Sequence, residues 1–323
     1  MIELIDFVKD YGSFRAVDRL NLRIPAGELF GFIGPNGAGK TTTIRFLATL
    51  IKAGGGDGRV AGYSVARQPL DVRRHIGYMP DQFGSYNGMR VQEFLDFFGL
   101  AYRLTRSFRR QRIELLLEML DLSEKRRARV MDLSRGMKQK LYLAKTLIHD
   151  PPVLILDEPA AGLDPQARIE LKRLLKELRR QGKTILVSSH ILSELADFCT
   201  WVGIIHRGRL LSFGPMEDVL RSIRVTRRIV VRCLEGHGST DLAQEIVARR
   251  ADVENVHQED GRLYFDLRGG DAEAAALLGD LVRSGVGVTC FAESDPTLED
   301  VFLRLTKPVS HEAGLAAFSS RST

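Results

Sequence analysis

The stretch Gly34-Pro35-Asn36-Gly37-Ala38-Gly39-Lys40-Thr41-Thr42 decides the fold. It follows the apolar run Leu29 to Ile33, which reads as a buried strand, and precedes Ile44 to Leu50, which reads as the first turns of a helix. A strand, a glycine-rich turn and Lys-Thr at a helix start make a phosphate loop. The glycines let backbone N–H groups close around oxygens where a Cβ would collide. The helix N-terminus adds partial positive charge. In this pattern Lys40 reaches the β- and γ-phosphates and the Thr41 hydroxyl holds Mg²⁺. All nine residues, Gly34 to Thr42, are candidate nucleotide contacts. The loop implies a nucleotide and leaves its use open.

Two further strand ends supply chemistry. Val153-Leu154-Ile155-Leu156 is uninterrupted and apolar, as in a strand buried on both faces of a parallel sheet, and it runs directly into Asp157-Glu158. Asp157 is placed to ligate Mg²⁺ directly or through water, and Glu158 to orient an attacking water or take its proton. Two adjacent carboxylates suit one magnesium, because the metal neutralises one while the other stays basic. Thr184 to Ser189 is another buried strand, ending at His190, for which a γ-phosphate contact is the functional reading.

Around these strands the period changes along the chain. Ile2, Leu4, Ile5 and then Leu20, Leu22, Ile24 alternate as antiparallel strands, with Tyr11-Gly12 in the turn between them. Tyr11 either packs on the sheet or stacks on a nucleotide base. Gly54-Gly55-Gly56 and Gly58 read as a loop before Val60, and Ile76 to Met79 reads as a strand stopped by Pro80. From Val91 to Leu122 the period is helical, with Phe94, Leu95, Phe97, Phe98, Leu100 and Ile113, Leu116, Leu117, Met119, Leu120 as the expected core stripes. A helix beginning near Leu133 ends before Pro151-Pro152, and Gln166 to Gln181 is amphipathic. Val202 to Ile205 and Arg209 to Phe213 read as strands. Helices alternating with buried strands give an α/β domain.

The composition shifts near Arg221. Beyond it the order strand, helix, strand, strand, helix, strand matches a split βαβ unit, a ferredoxin-like α+β domain. The expected division is 1–222 with a helical subdomain at about 88–150, then 223–305, then a disordered Ser/Ala/Gly-rich tail at 306–323.

The chain has 323 residues, 44% of them hydrophobic and 27% charged, enough for two domains with sizeable cores. No apolar run approaches the roughly 18 residues of a membrane span. Met1-Ile2-Glu3-Leu4 has neither a basic region nor an apolar signal core, so a cytoplasmic location is expected. Cys199, Cys233 and Cys290 are far apart, and reduced, structural cysteines are expected. The net charge of +6 is concentrated in runs such as Arg103, Arg106, Arg109, Arg110, Arg112 and Lys125, Arg126, Arg127, Arg129. These are solvated faces or a surface attracted to anionic lipid. They lack the interleaved aromatics of a base-stacking groove, so no nucleic acid partner is expected.

With these motifs in order, the chain resembles the ATP-binding subunit of an ATP-binding cassette (ABC) transporter, in particular the drug- and polymer-export branch with an ABC-2 type permease. Gly34 to Thr41 matches the Walker A motif, Leu133-Ser134-Arg135-Gly136-Met137 the signature, and Leu154 to Glu158 Walker B. Ala161-Gly162-Leu163-Asp164 matches the D-loop and His190 the switch histidine, while Thr297 to Phe302 resembles the closing helix of a domain common in this branch. The resemblance covers about residues 1–305. It implies a P-loop ABC ATPase core built from a mixed sheet with antiparallel and helical subdomains, and it places Tyr11 as the adenine-stacking aromatic.

The resemblance also implies two composite sites in a homodimer, or in a pair with a closely related second subunit. ATP lies between the P-loop of one copy and Ser134 and Gly136 of the other, and Mg²⁺ is bound at Thr41 and Asp157. Lys40, Glu158 and His190 are then the catalytic residues. Closure on ATP moves a separate permease, with the subunit peripheral on the inner face of the cell membrane. Two departures stand out. Arg135 and Met137 replace the usual Gly and Gln of the signature, and Asp81 stands where the family carries Gln, with Gln82 next, so either fills that metal contact. A soluble ABC ATPase acting on ribosomes, or a regulator, is the competing reading. Ribosome-acting relatives usually carry two cassettes, whereas one is present here.

Overall fold

The computed structural model describes residues 1–84, 86, 88–221, 227–234, 239–294 and 298–306. The expected tail, apart from Thr306, lies outside the described residues. The chain forms two units, Met1–Met216 and Glu217–Thr323.

In the first unit β1 (Ile2–Tyr11) and β2 (Phe14–Ile24) form a hairpin, followed by β3 (Leu29–Ile33) and α1 (Lys40–Leu47). Next come β4 (Gly55–Val60), β5 (Tyr63–Ser64), α2 (Pro69–His75) and β6 (Ile76–Met79). Then follow α3 (Val91–Ala101), α4 (Arg106–Met119), α5 (Arg135–Leu147), β7 (Val153–Leu156), α6 (Pro165–Arg180) and β8 (Thr184–Ser189). The unit is completed by α7 (Leu192–Ala196), β9 (Trp201–His206) and β10 (Arg209–Pro215), and α8 (Met216–Arg221) begins at its last residue.

The first sheet is antiparallel in the order β2-β1-β4-β5. Its alternation buries Ile2, Leu4, Phe7, Leu20, Leu22 and Ile24 on one face, where Phe7 stacks on Phe46 of α1 with ring centroids 4.2 Å apart. The glycine-rich stretch expected as a loop is instead strand β4. Its register with β1 slips between Ile5 and Val8, and Gly56 sits there with φ +70. A Cβ on Gly56 would lie 2.3 Å from the Ile5 carbonyl oxygen and 2.2 Å from that of Asp6. The glycine therefore permits the bulge rather than ending the strand.

The second sheet has the order β10-β9-β3-β8-β7-β6. All neighbours run parallel except β10, which pairs antiparallel with β9. Ile33 lies opposite Ser189, Leu156 opposite Val187 and Met79 opposite Leu156. The carboxyl ends of β3, β6, β7 and β8 thus meet at one sheet edge, where open parallel sheets bind ligands.

In the helical segment Phe94, Leu95, Ile113, Leu116 and Leu117 are buried as the period requires. Phe97, Leu100 and Met119 are not core: they are 47%, 55% and 37% exposed. The helices present a second apolar stripe outward, and periodicity does not distinguish the two.

The second unit contains β11 (Arg227–Cys233), α9 (Ser239–Ala248), β12 (Val253–Glu259), β13 (Arg262–Leu267), α10 (Asp271–Arg283), β14 (Val288–Ser294) and α11 (Leu298–Thr306). Its sheet order β12-β13-β11-β14, antiparallel throughout, is the split βαβ arrangement. Ile229, Val231, Leu263, Phe265 and Leu267 pack against Val247, Leu277 and Leu281 from its helices. No helix of the described residues is long and apolar enough to cross a membrane.

One buried contact makes stability depend on pH. Beyond the C-terminal end of α5, His149 stacks on Tyr102 with ring centroids 3.7 Å apart, and its Nε2 lies 2.9 Å from the Ile76 carbonyl oxygen of β6. Burial pushes its pKa down to about 4, against the partial support of the Ile76 carbonyl. Between the unfolded value near 6.5 and about 4 the unfolded chain binds the extra proton. Stability is therefore complete above pH 6.5 and is lost as pH falls through that window, by up to about 3 kcal/mol. Urea unfolding across this range should show that slope, and His149→Phe should remove it.

Candidate nucleotide-binding site

β3 ends at Ile33 and the chain turns through the glycine-rich loop into α1. Gly34 cannot carry a side chain, because a Cβ would sit 2.2 Å from the Ile205 carbonyl oxygen. Gly39 precedes the helix with φ +109, and a Cβ there would lie 2.8 Å from the Ala16 carbonyl oxygen. These positions hold the loop close against β9 and β2 and turn the first N–H groups of α1 toward the sheet edge, where helix geometry leaves them without intrahelical partners. Lys40 is buried, and its Nζ donates to the Gly34 and Pro35 carbonyls at 2.5 and 3.3 Å. Its Nζ also lies 3.8 Å from Glu158 Oε1. Burial lowers the Lys40 pKa, and the Glu158 and Asp157 carboxylates oppose that shift.

Asp157 follows β7 and is fully buried. Its Oδ1 accepts from Ser188 Oγ at 2.7 Å and from Thr41 Oγ1 at 3.4 Å. Its Oδ2 is buried without a hydrogen-bond partner. Burial pushes the Asp157 pKa up, and Asp81 and Glu158 push the same way against the Ser188 and Thr41 hydrogen bonds. Ser188 Oγ also accepts from the Glu158 backbone N–H at 2.9 Å. Glu158 has φ +50, an uncommon conformation for a non-glycine residue, and its Oε2 lies 2.9 Å from His190 Nδ1.

The P-loop residues Pro35 to Thr42 line a cleft of about 470 Å³ together with Tyr11, Phe14, Asp81, Gln82, Glu158, Ala161 and His190. Sequence reasoning missed two contributors. Phe14 is 61% exposed at this cleft, paired in register with Tyr11 across the hairpin turn. Ser188 is a fully buried hydroxyl next after the apolar Ile185-Leu186-Val187 of its strand, and that position at the strand's carboxyl end is the signal for it. Ser134 and Gly136 do not line the cleft. Ser134 caps α5, accepting from the Met137 N–H at 3.3 Å, and Gly136 packs by Leu163.

A divalent cation fits the donor set. An unpartnered buried carboxylate oxygen stands beside a threonine hydroxyl at the phosphate loop. Among the described residues no cluster of three or more His, Cys, Asp or Glu forms a metal cage. That suits Mg²⁺, which takes one or two carboxylates and completes its shell with phosphate oxygens and water.

Residues 17–161 match the ABC transporter family and residues 214–306 match the C-terminal domain of DrrA1-3-like ATP-binding proteins. The chain is 35% identical over 311 residues to the bacitracin transport ATP-binding protein BcrA of Bacillus licheniformis, covering 94% of this chain and 97% of that one. It is 34% identical over 299 residues to the daunorubicin resistance ATP-binding protein DrrA2 of Streptomyces coeruleorubidus, covering 92% of each. Among solved structures, an ATP-binding subunit of an ABC transporter superposes with a TM-score of 0.65 at 31% identity, over 69% of this chain and 93% of that one. A dimeric ATP-binding cassette in a post-hydrolysis state bound to ADP and Pi superposes with a TM-score of 0.62 at 25% identity, over 67% of this chain and 99% of that one. The phosphate loop, the paired carboxylates and these likenesses agree: the chain belongs to the ATP-binding cassette family and is the ATP-hydrolysing subunit of an ABC transporter.

Proposed function

We propose that this subunit powers export through a separate ABC-2 type permease by closing as a dimer on Mg²⁺-ATP at the membrane's inner face. The observation that carries this reading is the convergence of Lys40, Asp157, Glu158 and His190 at the edge of one cleft with the phosphate loop. The relatives named for bacitracin transport and daunorubicin resistance support an antibiotic as the class of cargo.

In this mechanism the adenine stacks on Tyr11 and the phosphates enter the loop. Lys40 exchanges its hydrogen bonds to Gly34 and Pro35 for the β- and γ-phosphate oxygens. Thr41 and Asp157, with Asp81 or Gln82, would hold Mg²⁺, which would neutralise charge on the phosphates. Glu158 orients water in line with the γ-phosphate and takes its proton, while His190 keeps the Glu158 carboxylate directed at the cleft and reaches the γ-phosphate. Ser134 and Gly136, outside the cleft of their own chain, cap the γ-phosphate held by a second copy. That completes two equivalent sites in a homodimer. Phe97 and Leu100 supply apolar surface for the permease.

Ser188 sets the geometry of both carboxylates. One hydroxyl donates to Asp157 and accepts from the Glu158 backbone N–H, so its loss leaves that N–H without its acceptor and the buried Asp157 Oδ1 with only the longer hydrogen bond from Thr41. Ser188→Ala should lower stability by about 1–3 kcal/mol, measured by urea unfolding without nucleotide. An unchanged midpoint would contradict that role. Glu158→Gln should retain ATP binding and lower turnover by about 10²–10⁴. Equilibrium binding and phosphate release test this together, and wild-type turnover in that variant would remove Glu158 from catalysis.

A further inference from the structure

We infer that Arg135 is a positioning residue that ties the signature turn at the start of α5 to the loop carrying Glu158 of the same chain. Contact made at Ser134 and Gly136 is thereby transmitted to the hydrolytic carboxylate. The inference rests on the two-copy reading proposed above, in which Ser134 faces the partner's nucleotide.

Arg135 is the first residue of α5, directly after the capping Ser134. Its side chain, though solvent-exposed, reaches across to the loop after β7. A Cβ on Gly162 would lie 2.2 Å from Arg135 Cζ and 2.5 Å from Nη2, so the guanidinium lies over the Gly162 backbone. Arg135 Nη2 also donates to the Ala161 carbonyl at 3.4 Å. Among the described residues no carboxylate forms an ion pair with Arg135, so the loop backbone is the partner the structure gives it. Gly162 has φ +72, which only glycine adopts without strain. Its bare Cα is what lets the guanidinium approach.

The loop ends at the cleft. The Ala161 N–H donates to the Glu158 carbonyl at 3.1 Å, closing the turn in which Glu158 holds φ +50. Ala161 and Glu158 both line the nucleotide cleft. Gly136 and Leu163 also line one groove together, alongside this contact. The path from signature to carboxylate is therefore Arg135 to Ala161 to Glu158, through one side chain and one turn. A planar guanidinium can lie flat on a peptide and donate sideways, whereas an ammonium cannot. Because the turn is held in a strained conformation, a tether at Ala161 has leverage on the aim of Glu158.

The test uses the full chain with Arg135→Ala and Arg135→Lys. The readouts are ATP hydrolysis against ATP concentration, affinity for a fluorescent ATP analogue in the Glu158→Gln background at monomer concentrations, and thermal midpoint. Arg135 is exposed, so the midpoint should stay unchanged. Analogue affinity should stay within about twofold while turnover falls about tenfold or more, the loss expected from a misplaced catalytic group. The Hill coefficient should fall from near the number of sites, about 2, toward about 1. Arg135→Lys should behave as Arg135→Ala. Wild-type turnover and cooperativity in Arg135→Ala, or full rescue by Lys, would overturn the inference. Gel filtration of Glu158→Gln with Mg²⁺-ATP separates the two levels. A monomer overturns the two-copy reading and the inference with it. A normal dimer with unchanged Arg135→Ala kinetics overturns the inference alone.

Discussion

The hydrogen bond from Ser188 to Asp157 depends on a register, and the site depends on that hydrogen bond. Leu156 lies opposite Val187 in the parallel pair β7–β8, so the next residues on each strand, Asp157 and Ser188, meet just beyond the last apolar rung. A one-residue slip would turn these side chains to opposite faces. The same sheet sets Ile33 opposite Ser189, which brings the phosphate loop to the same edge. Leu154, Ile155, Leu186 and Val187 are fully buried or nearly so, and any other register would force them to repack against different neighbours.

Electrostatics at that edge are poised for a ligand. A buried carboxylate with one unpartnered oxygen is costly in a metal-free chain. A buried ammonium that spends its hydrogen bonds on its own loop is likewise held ready. Both groups shift toward their neutral forms through burial, and each carries the charge that would favour the other. A triphosphate with a divalent cation answers both at once, so the same arrangement that weakens the empty cleft favours the occupied one.

Much of this was legible in the sequence because it lies in short, contiguous stretches. The phosphate loop and the Asp157-Glu158 pair each sit at a strand end that apolar runs announce. The second unit was legible from its order of elements. What escaped has physical reasons. Gly55, Gly56 and Gly58 carry no side chain to signal a strand, yet β1 pairs with this stretch because its bulge needs a glycine at position 56. Phe97 and Leu100 carry the helical period but face outward, since periodicity marks an apolar face without saying what covers it. Phe14 opens β2 just after a hairpin turn and meets the phosphate loop, which is distant in sequence, only at the cleft. Pro69 at the first position of α2 was a start signal without an apolar stripe strong enough to follow it. Ser134 was identified from its motif, and its distance from its own chain's cleft is a fact only three dimensions supply.

That distance is where the account is most exposed. The cleft of one chain contains the groups proposed to hold phosphate and activate water, and the signature turn stands apart from it. The decisive measurement is the crystal structure of the Glu158→Gln chain with ATP and Mg²⁺. Two copies should enclose two nucleotides, each γ-phosphate within hydrogen-bond reach of Ser134 Oγ from the opposite copy. ATP seated in a lone chain, or in a dimer with Ser134 remote from both nucleotides, would contradict the composite site.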